Sequence, residues 1–159
     1  MRIKSAILSI FLLALMAFNT NTSSSYKCLI QLKNYEGEGA YVVVSVVNQA
    51  NEYQKTLQVL GDDSEWYKDL PQWYAHWQKK TESIDAITGA TISGGERAIK
   101  ILEIPTHTID AGYKLRFETA VEDQDYFATD LEFELTQENL KQKQEGKGYI
   151  RYVRLLEQK

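Results

Sequence analysis

The sequence predicts an all-β protein: an antiparallel, immunoglobulin-like two-sheet sandwich with one short helical insertion at about residues 64–80. Three observations carry that expectation. About seven stretches either alternate apolar and polar residues with a period of two or are solidly β-branched, and turn-forming residues separate them. Only one stretch has helical spacing, whereas a parallel βαβ sheet needs a helix between successive strands. Cys28 is the single cysteine, so no intrachain disulfide can form and the fold must rest on an ordinary apolar core, which a chain of 159 residues is long enough to bury.

Residues 1–22 read as an export signal and polar leader. Arg2 and Lys4 form a positive start, and the apolar run 5–18 is too short for a comfortable membrane span and is followed by a polar Asn-Thr-Ser stretch. The spacing predicts a cleaved secretory signal, and one folded domain over residues 26–158. The polar Ser25-Tyr26-Lys27 before Cys28 is unlike a lipid-attachment sequence. The chain carries a net charge of −4, and loss of Arg2 and Lys4 would leave a more acidic domain. That balance argues against nucleic acid as a partner.

From Tyr26, the alternation of Cys28, Ile30 and Leu32 with polar neighbours predicts a strand. Residues 40–47 are almost wholly apolar and β-branched, the pattern of a central strand covered on both faces. Residues 53–60 follow after a short polar turn and predict its hairpin partner. Trp66, Leu70, Trp73 and Trp77 then recur at spacings of four, three and four, one face of a helix. Pro71 splits that face, so two short helices are expected, with Pro71 opening the second and Asp63 or Ser64 capping the first. Three tryptophans at helical spacing are expected to pack the insertion onto the sandwich, with Trp77, at the polar end, the most exposed. Strands follow at 96–104, ended by Pro105, at 113–119, at 126–135 and at 149–156. Glu122-Asp123-Gln124-Asp125 reads as a solvated hairpin tip, and residues 136–147 as a short helix or a mobile loop.

The stretch whose residue types suit chemistry better than packing is Asp85-Ala86-Ile87-Thr88-Gly89-Ala90-Thr91. It is predicted to be a loop between the aromatic helix and the next strand. Gly89 and Ala90 are small enough to let another protein's active site close on the backbone. Asp85 and Thr88 are of the types that fix loops by side-chain to backbone hydrogen bonds. The two histidines, His76 and His107, are far apart in sequence and have no third ligand at metal spacing.

This segment, D-x-x-T-G-A-T, resembles the acceptor sequence of ApbE-type flavin transferases. The chain as a whole resembles the DUF2271 family of predicted periplasmic proteins. That likeness runs through Tyr41-Val42-Val43-Val44, Gly61-Asp62, the segment from Trp66 to Trp73, the Asp85–Thr91 motif, Gly112-Tyr113-Lys114-Leu115 and Phe117-Glu118-Thr119-Ala120. It departs after the motif, where Ser93-Gly94-Gly95 stands in place of a proline-rich turn.

The resemblance implies that Thr91 receives FMN through a phosphoester bond, with Asp85, Thr88, Gly89 and Ala90 shaping the acceptor and Trp77 available to stack on the flavin ring. It implies an ApbE-type transferase as one partner and a membrane redox protein, such as one of the PepSY type, as another. The implied role is that of an exported electron carrier rather than an enzyme turning over a substrate. A rival of a different class is a non-catalytic sandwich that holds a glycan or a protein on its tryptophan-rich insertion.

Overall fold

The computed structural model describes residues 22–80 and 82–158. The expected signal segment lies outside the described residues but for Thr22. Two sheets face each other. The first has the order β5-β1-β9-β8 and the second β4-β3-β2-β6-β7. The strands are β1 (Ser23–Leu32), β2 (Tyr41–Val47), β3 (Tyr53–Leu60), β4 (Thr88–Gly89), β5 (Arg97–Pro105), β6 (Lys114–Ala120), β7 (Tyr126–Glu134), β8 (Gln144–Glu145) and β9 (Ile150–Glu157). The helix α1 (Pro71–Lys80) follows a 3-10 turn at Ser64–Asp69 and lies on the outer face of the second sheet. The fold is thus the expected all-β sandwich with a helical insertion.

Two apolar clusters explain why β2 is buried along its whole length. Val42, Val44 and Val46 point between the sheets, where they meet Ile30, Leu102, Phe117, Leu131 and Val153. Val43 points the other way, where Val59, Tyr67, Leu70, Trp73 and Ile84 form a second core beneath the helical layer. A strand with apolar side chains on both faces needs such a cover on each side. Pro71 opens α1, where its missing N–H costs nothing, and Asp63 caps the preceding turn by accepting a bond from the Glu65 amide at 2.9 Å.

The structure corrects the sequence reading in several places. β1 starts at Ser23, three residues before the expected start of the domain at residue 26, because β5 is long enough to pair with it back to Ser23↔Pro105. The Ser23 hydroxyl donates to Glu103 at 2.6 Å there. The motif is not all loop: Thr88 and Gly89 pair with Val59 and Leu60 as a short parallel strand in an otherwise antiparallel sandwich. Residues 136–147 hold one 3-10 turn at Asn139–Lys141 and the short strand β8. Leu140 is buried there. The buried Asp130 carboxylate fixes the following segment by accepting from the amides of Gly148 (2.7 Å) and Ile150 (2.9 Å) and from the Thr119 hydroxyl (2.7 Å). Lys33 closes the same turn by donating to the Gly148 carbonyl at 2.6 Å.

Candidate functional site

The Asp85–Thr91 segment is built against the edge of the second sheet. Ile84, just before it, is buried in the core under α1. Its carbonyl accepts from the Ile87 amide at 2.9 Å and from the Thr88 hydroxyl at 2.8 Å, closing the 3-10 turn Asp85–Ile87. The Gln58 side chain of β3 donates to the Ile87 carbonyl at 2.5 Å. Thr88 therefore fixes the turn as its residue type predicts. Asp85 does not: among the described residues its carboxylate accepts only from the Ser83 hydroxyl, at 3.3 Å, and stays exposed.

Past the turn, the segment is held at two points. Gly61 donates its amide to the Gly89 carbonyl at 2.5 Å. Gly61 has φ of +133°, and a Cβ there would strike the Tyr41 ring, so this corner requires glycine. Three residues on, Ile92 is buried and exchanges two backbone bonds with Ala40, at 2.7 and 3.1 Å, while Tyr35 donates to its carbonyl at 2.9 Å. Between these anchors stand Ala90, exposed, and Thr91, partly exposed. Among the described residues the Thr91 hydroxyl has no hydrogen-bond partner. Gly39 packs directly on it; a Cβ at Gly39 would fall on the Thr91 side chain.

Beside the motif lies a groove of about 500 Å³ lined by Asp62, Ser64, Tyr67, Trp77, Ile84, Asp85 and Thr88. This is within the size range of small-molecule sites. It brings together three of the residues singled out from the sequence, Trp77, Asp85 and Thr88. Gly89, Ala90 and Thr91 lie beyond its lining, with Thr91 three residues from Thr88 and so at most about 10 Å along the chain.

Trp77 is half-buried, less open than its position at the polar end of the helix suggests. It stacks on the fully buried Trp73 with ring centroids 5.6 Å apart and meets the Tyr67 ring edge-on at 5.6 Å. Its indole N–H donates to the Glu82 carbonyl at 2.9 Å. Burial pushes the Tyr67 phenol up, and the nearby Asp62, Asp63 and Asp85 carboxylates add to it. Tyr67 therefore stays a donor, bonded to the Gly61 carbonyl at 3.1 Å.

Reading the sequence alone misses Gly39 and Gly61 as parts of this site. Gly61 left a signal, a glycine at the end of a strand before two aspartates. Gly39 left none, because its role depends on a contact with a residue far along the chain.

A family model described as "Predicted periplasmic protein (DUF2271)" matches residues 23–152, most of the chain and nearly all of the described fold. The chain belongs to the DUF2271 family. No curated protein and no solved structure matches this DUF2271 protein. The other histidine positions add nothing to the site. His76 stacks on Tyr53 at 5.1 Å, and burial, with Lys80 next, lowers its pKa. His107 is exposed and touches the Tyr113 ring edge-on. Among the described residues no group of three or more His, Cys, Asp or Glu side chains could hold a metal, and no helix is long and apolar enough to cross a membrane.

Proposed function

We propose that this DUF2271 protein is a carrier of covalently bound FMN, attached through a phosphoester at Thr91, and that it serves extracytoplasmic electron transfer. The observation that carries the reading is the state of Thr91 within the D-x-x-T-G-A-T segment. Its backbone is pinned on both sides, at Gly89 and at Ile92, while its hydroxyl has no protein hydrogen-bond partner among the described residues and Gly39 is packed against it. Rigid presentation of an unengaged hydroxyl is what an incoming active site needs, since positioning replaces a large part of the entropic cost of a bimolecular step. The periplasmic description of the family agrees with an extracytoplasmic transferase.

A threonine hydroxyl is a weak nucleophile at neutral pH. With no basic side chain bonded to it here, the base and any metal belong to the ApbE-type transferase. The Thr91 oxygen would attack the FMN-side phosphorus of FAD. The pyrophosphate bond breaks, AMP departs, and the hydroxyl proton goes to the transferase's base. Once bound, FMN supplies one- and two-electron redox chemistry. This chain's residues then set the surroundings: Trp77, Tyr67 and Ile84 offer apolar wall, and Asp62 and Asp85 give the groove a negative lip. A membrane redox protein, such as one of the PepSY type, would exchange electrons with it. Trp73 and Trp77 turn their faces to each other rather than outward, which favours this reading over a tryptophan platform for a glycan.

The test is co-expression with an ApbE-type transferase, denaturation, and measurement of flavin fluorescence and intact mass. The parent is expected to keep flavin on the polypeptide and Thr91→Ala to keep none; equal labelling of the two defeats the assignment. A second expectation follows from the contact at Gly39. Gly39→Ala places a methyl on the Thr91 side chain and forces it to rotate. The initial rate of flavin attachment should fall on the order of tenfold or more, because small misplacements of a reacting atom are costly. The check is a time course with purified transferase, with the melting temperature measured alongside to confirm that the variant is folded.

A further inference from the structure

Lys100 stands at an unusual place in β5. Its register partner on β1 is Cys28, which is buried between the sheets, and it shares a strand face with Leu102 and Ile104, both fully buried. An apolar residue is expected at such a position. Its side chain instead crosses from the edge of the first sheet to the edge of the second. There its ammonium lies 2.8 Å from where a Cβ on Gly89 would sit. A side chain at position 89 would push the ammonium aside.

Among the described residues, four Lys and Arg side chains are half-buried or buried: Lys33, Lys100, Lys114 and Arg116. Lys33 donates to backbone carbonyls of the 146–148 turn. Lys114 and Arg116 both pair with Glu132, at 2.9 and 2.6 Å. Lys100 alone of the four has no partner among the described residues. Partly buried charges are ordinarily paired, because the loss of hydration otherwise goes uncompensated. A lysine on an edge strand also guards against strand pairing with other molecules, but that role is fulfilled with the ammonium turned to solvent and needs no seat against Gly89.

We propose that Lys100 is the counter-ion for a phosphate group carried on Thr91, holding it beside the Gly89 backbone. The assignment rests on Thr91 being the flavin acceptor. Gly89 and Thr91 are two residues apart, at most about 7 Å along the chain, a gap that the long lysine side chain and the added phosphate close between them. A phosphodiester bears one negative charge, which suits the compact ammonium of lysine. The sequence neighbours of the contact glycines are acidic, Glu38 before Gly39 and Asp62 after Gly61. A phosphate at this end of the sandwich therefore meets repulsion that one cation offsets.

The parent, Lys100→Gln and Lys100→Arg are each expressed with and without an ApbE-type transferase. Flavin retained after denaturation is quantified first. Phosphorus NMR is then recorded on the folded and urea-unfolded flavinylated proteins, and melting temperatures with and without flavin are compared. All three proteins should take up flavin. In the parent and Lys100→Arg, folding should displace the phosphodiester resonance from its unfolded position; in Lys100→Gln that displacement should vanish. The stabilisation that flavin gives should shrink in Lys100→Gln by about 3 °C, the scale of one modest ion pair in a domain of this size. Identical resonances and identical stabilisation in the parent and Lys100→Gln overturn the proposal. So does a folded Lys100→Gln that is labelled slowly yet shows the parent's resonance in the product that forms, since that outcome assigns the lysine to the FAD-bound transferase instead. A parent without covalent flavin defeats the acceptor reading itself, and with it this one. That failure is distinguishable, because all three proteins would then lack flavin.

Discussion

Trp73→Ala should destabilise the protein by about 3–5 kcal/mol, the range for removing a fully buried large aromatic. Trp73 has no exposed surface. It fills the space between α1 and the outer face of the second sheet, against Tyr67 at 5.2 Å and Trp77 at 5.6 Å. Its indole N–H donates to the buried Thr56 hydroxyl at 2.9 Å. The alanine variant loses the transfer energy, opens a cavity and leaves that hydroxyl without a partner. Urea unfolding followed by circular dichroism measures the loss. Trp66 supplies the contrast: it is half-buried with Lys68 over its ring at 5.4 Å, and Trp66→Ala should cost about 1 kcal/mol. Equal losses in the two variants would mean that the helical layer is not seated through Trp73. The same substitution tests the groove. Without Trp73 behind it, Trp77 loses its stacked support, whereas the Thr91 anchors run through backbone bonds to Gly61 and Ala40. Covalent labelling of Thr91 should therefore survive in whatever fraction of Trp73→Ala remains folded.

Much of this layout was legible because it is encoded locally. A strand that is apolar on both faces announces β2, and a proline inside a tryptophan-spaced face announces the split between the Ser64–Asp69 turn and α1. The Asp85–Thr91 motif stood out by residue type alone. What escaped depends on contacts distant in sequence. Ser23 to Ser25 join β1 because β5 extends far enough to pair with them, not because their composition favours a strand. The parallel pairing of Thr88 and Gly89 follows from where Ile84 is buried. β6 shows the same limit most sharply. Leu115, Phe117 and Thr119 alternate there with Lys114, Arg116 and Glu118, a pattern that announces a strand but not what covers its polar side. In the fold, Arg116 and Glu118 are both buried, because α1 and the Tyr53 ring cover that side.

Glu118 gives this covered face a pH dependence of unusual sign. Burial pushes its carboxyl above the usual range, and hydrogen bonds from Tyr53, Tyr126 and the Trp73 amide pull back only part of the way. Tyr53 bonds one carboxyl oxygen closely, while Tyr126 donates to the other at 2.7 Å and the Trp73 N–H at 3.4 Å. The phenols of both tyrosines are themselves raised, first by burial and then by this carboxylate, so they remain donors. Between the unfolded value, about 4.3, and the raised folded value, the native state keeps a proton that the unfolded chain has released. Stability from this group therefore falls as pH rises through that window and levels off above it. Glu132 acts oppositely. Burial raises it, but the Lys114 and Arg116 bonds more than offset that, and its pKa is lowered. Its contribution is present above the unfolded value and is lost as pH falls. The parent's own pH profile sums such terms, so the informative quantity is the stability of the parent minus that of Glu118→Gln, measured by urea unfolding from pH 4 upward. That difference should decrease with pH. A difference that grows with pH would place an ionised carboxylate under α1. Glu118→Ala, which strips an acceptor from two half-buried phenols and the buried Trp73 amide at once, should cost about 3 kcal/mol. Together with the Trp73 variant, it shows whether the helical layer that walls the groove is held by its tryptophan, by its buried carboxyl, or by both.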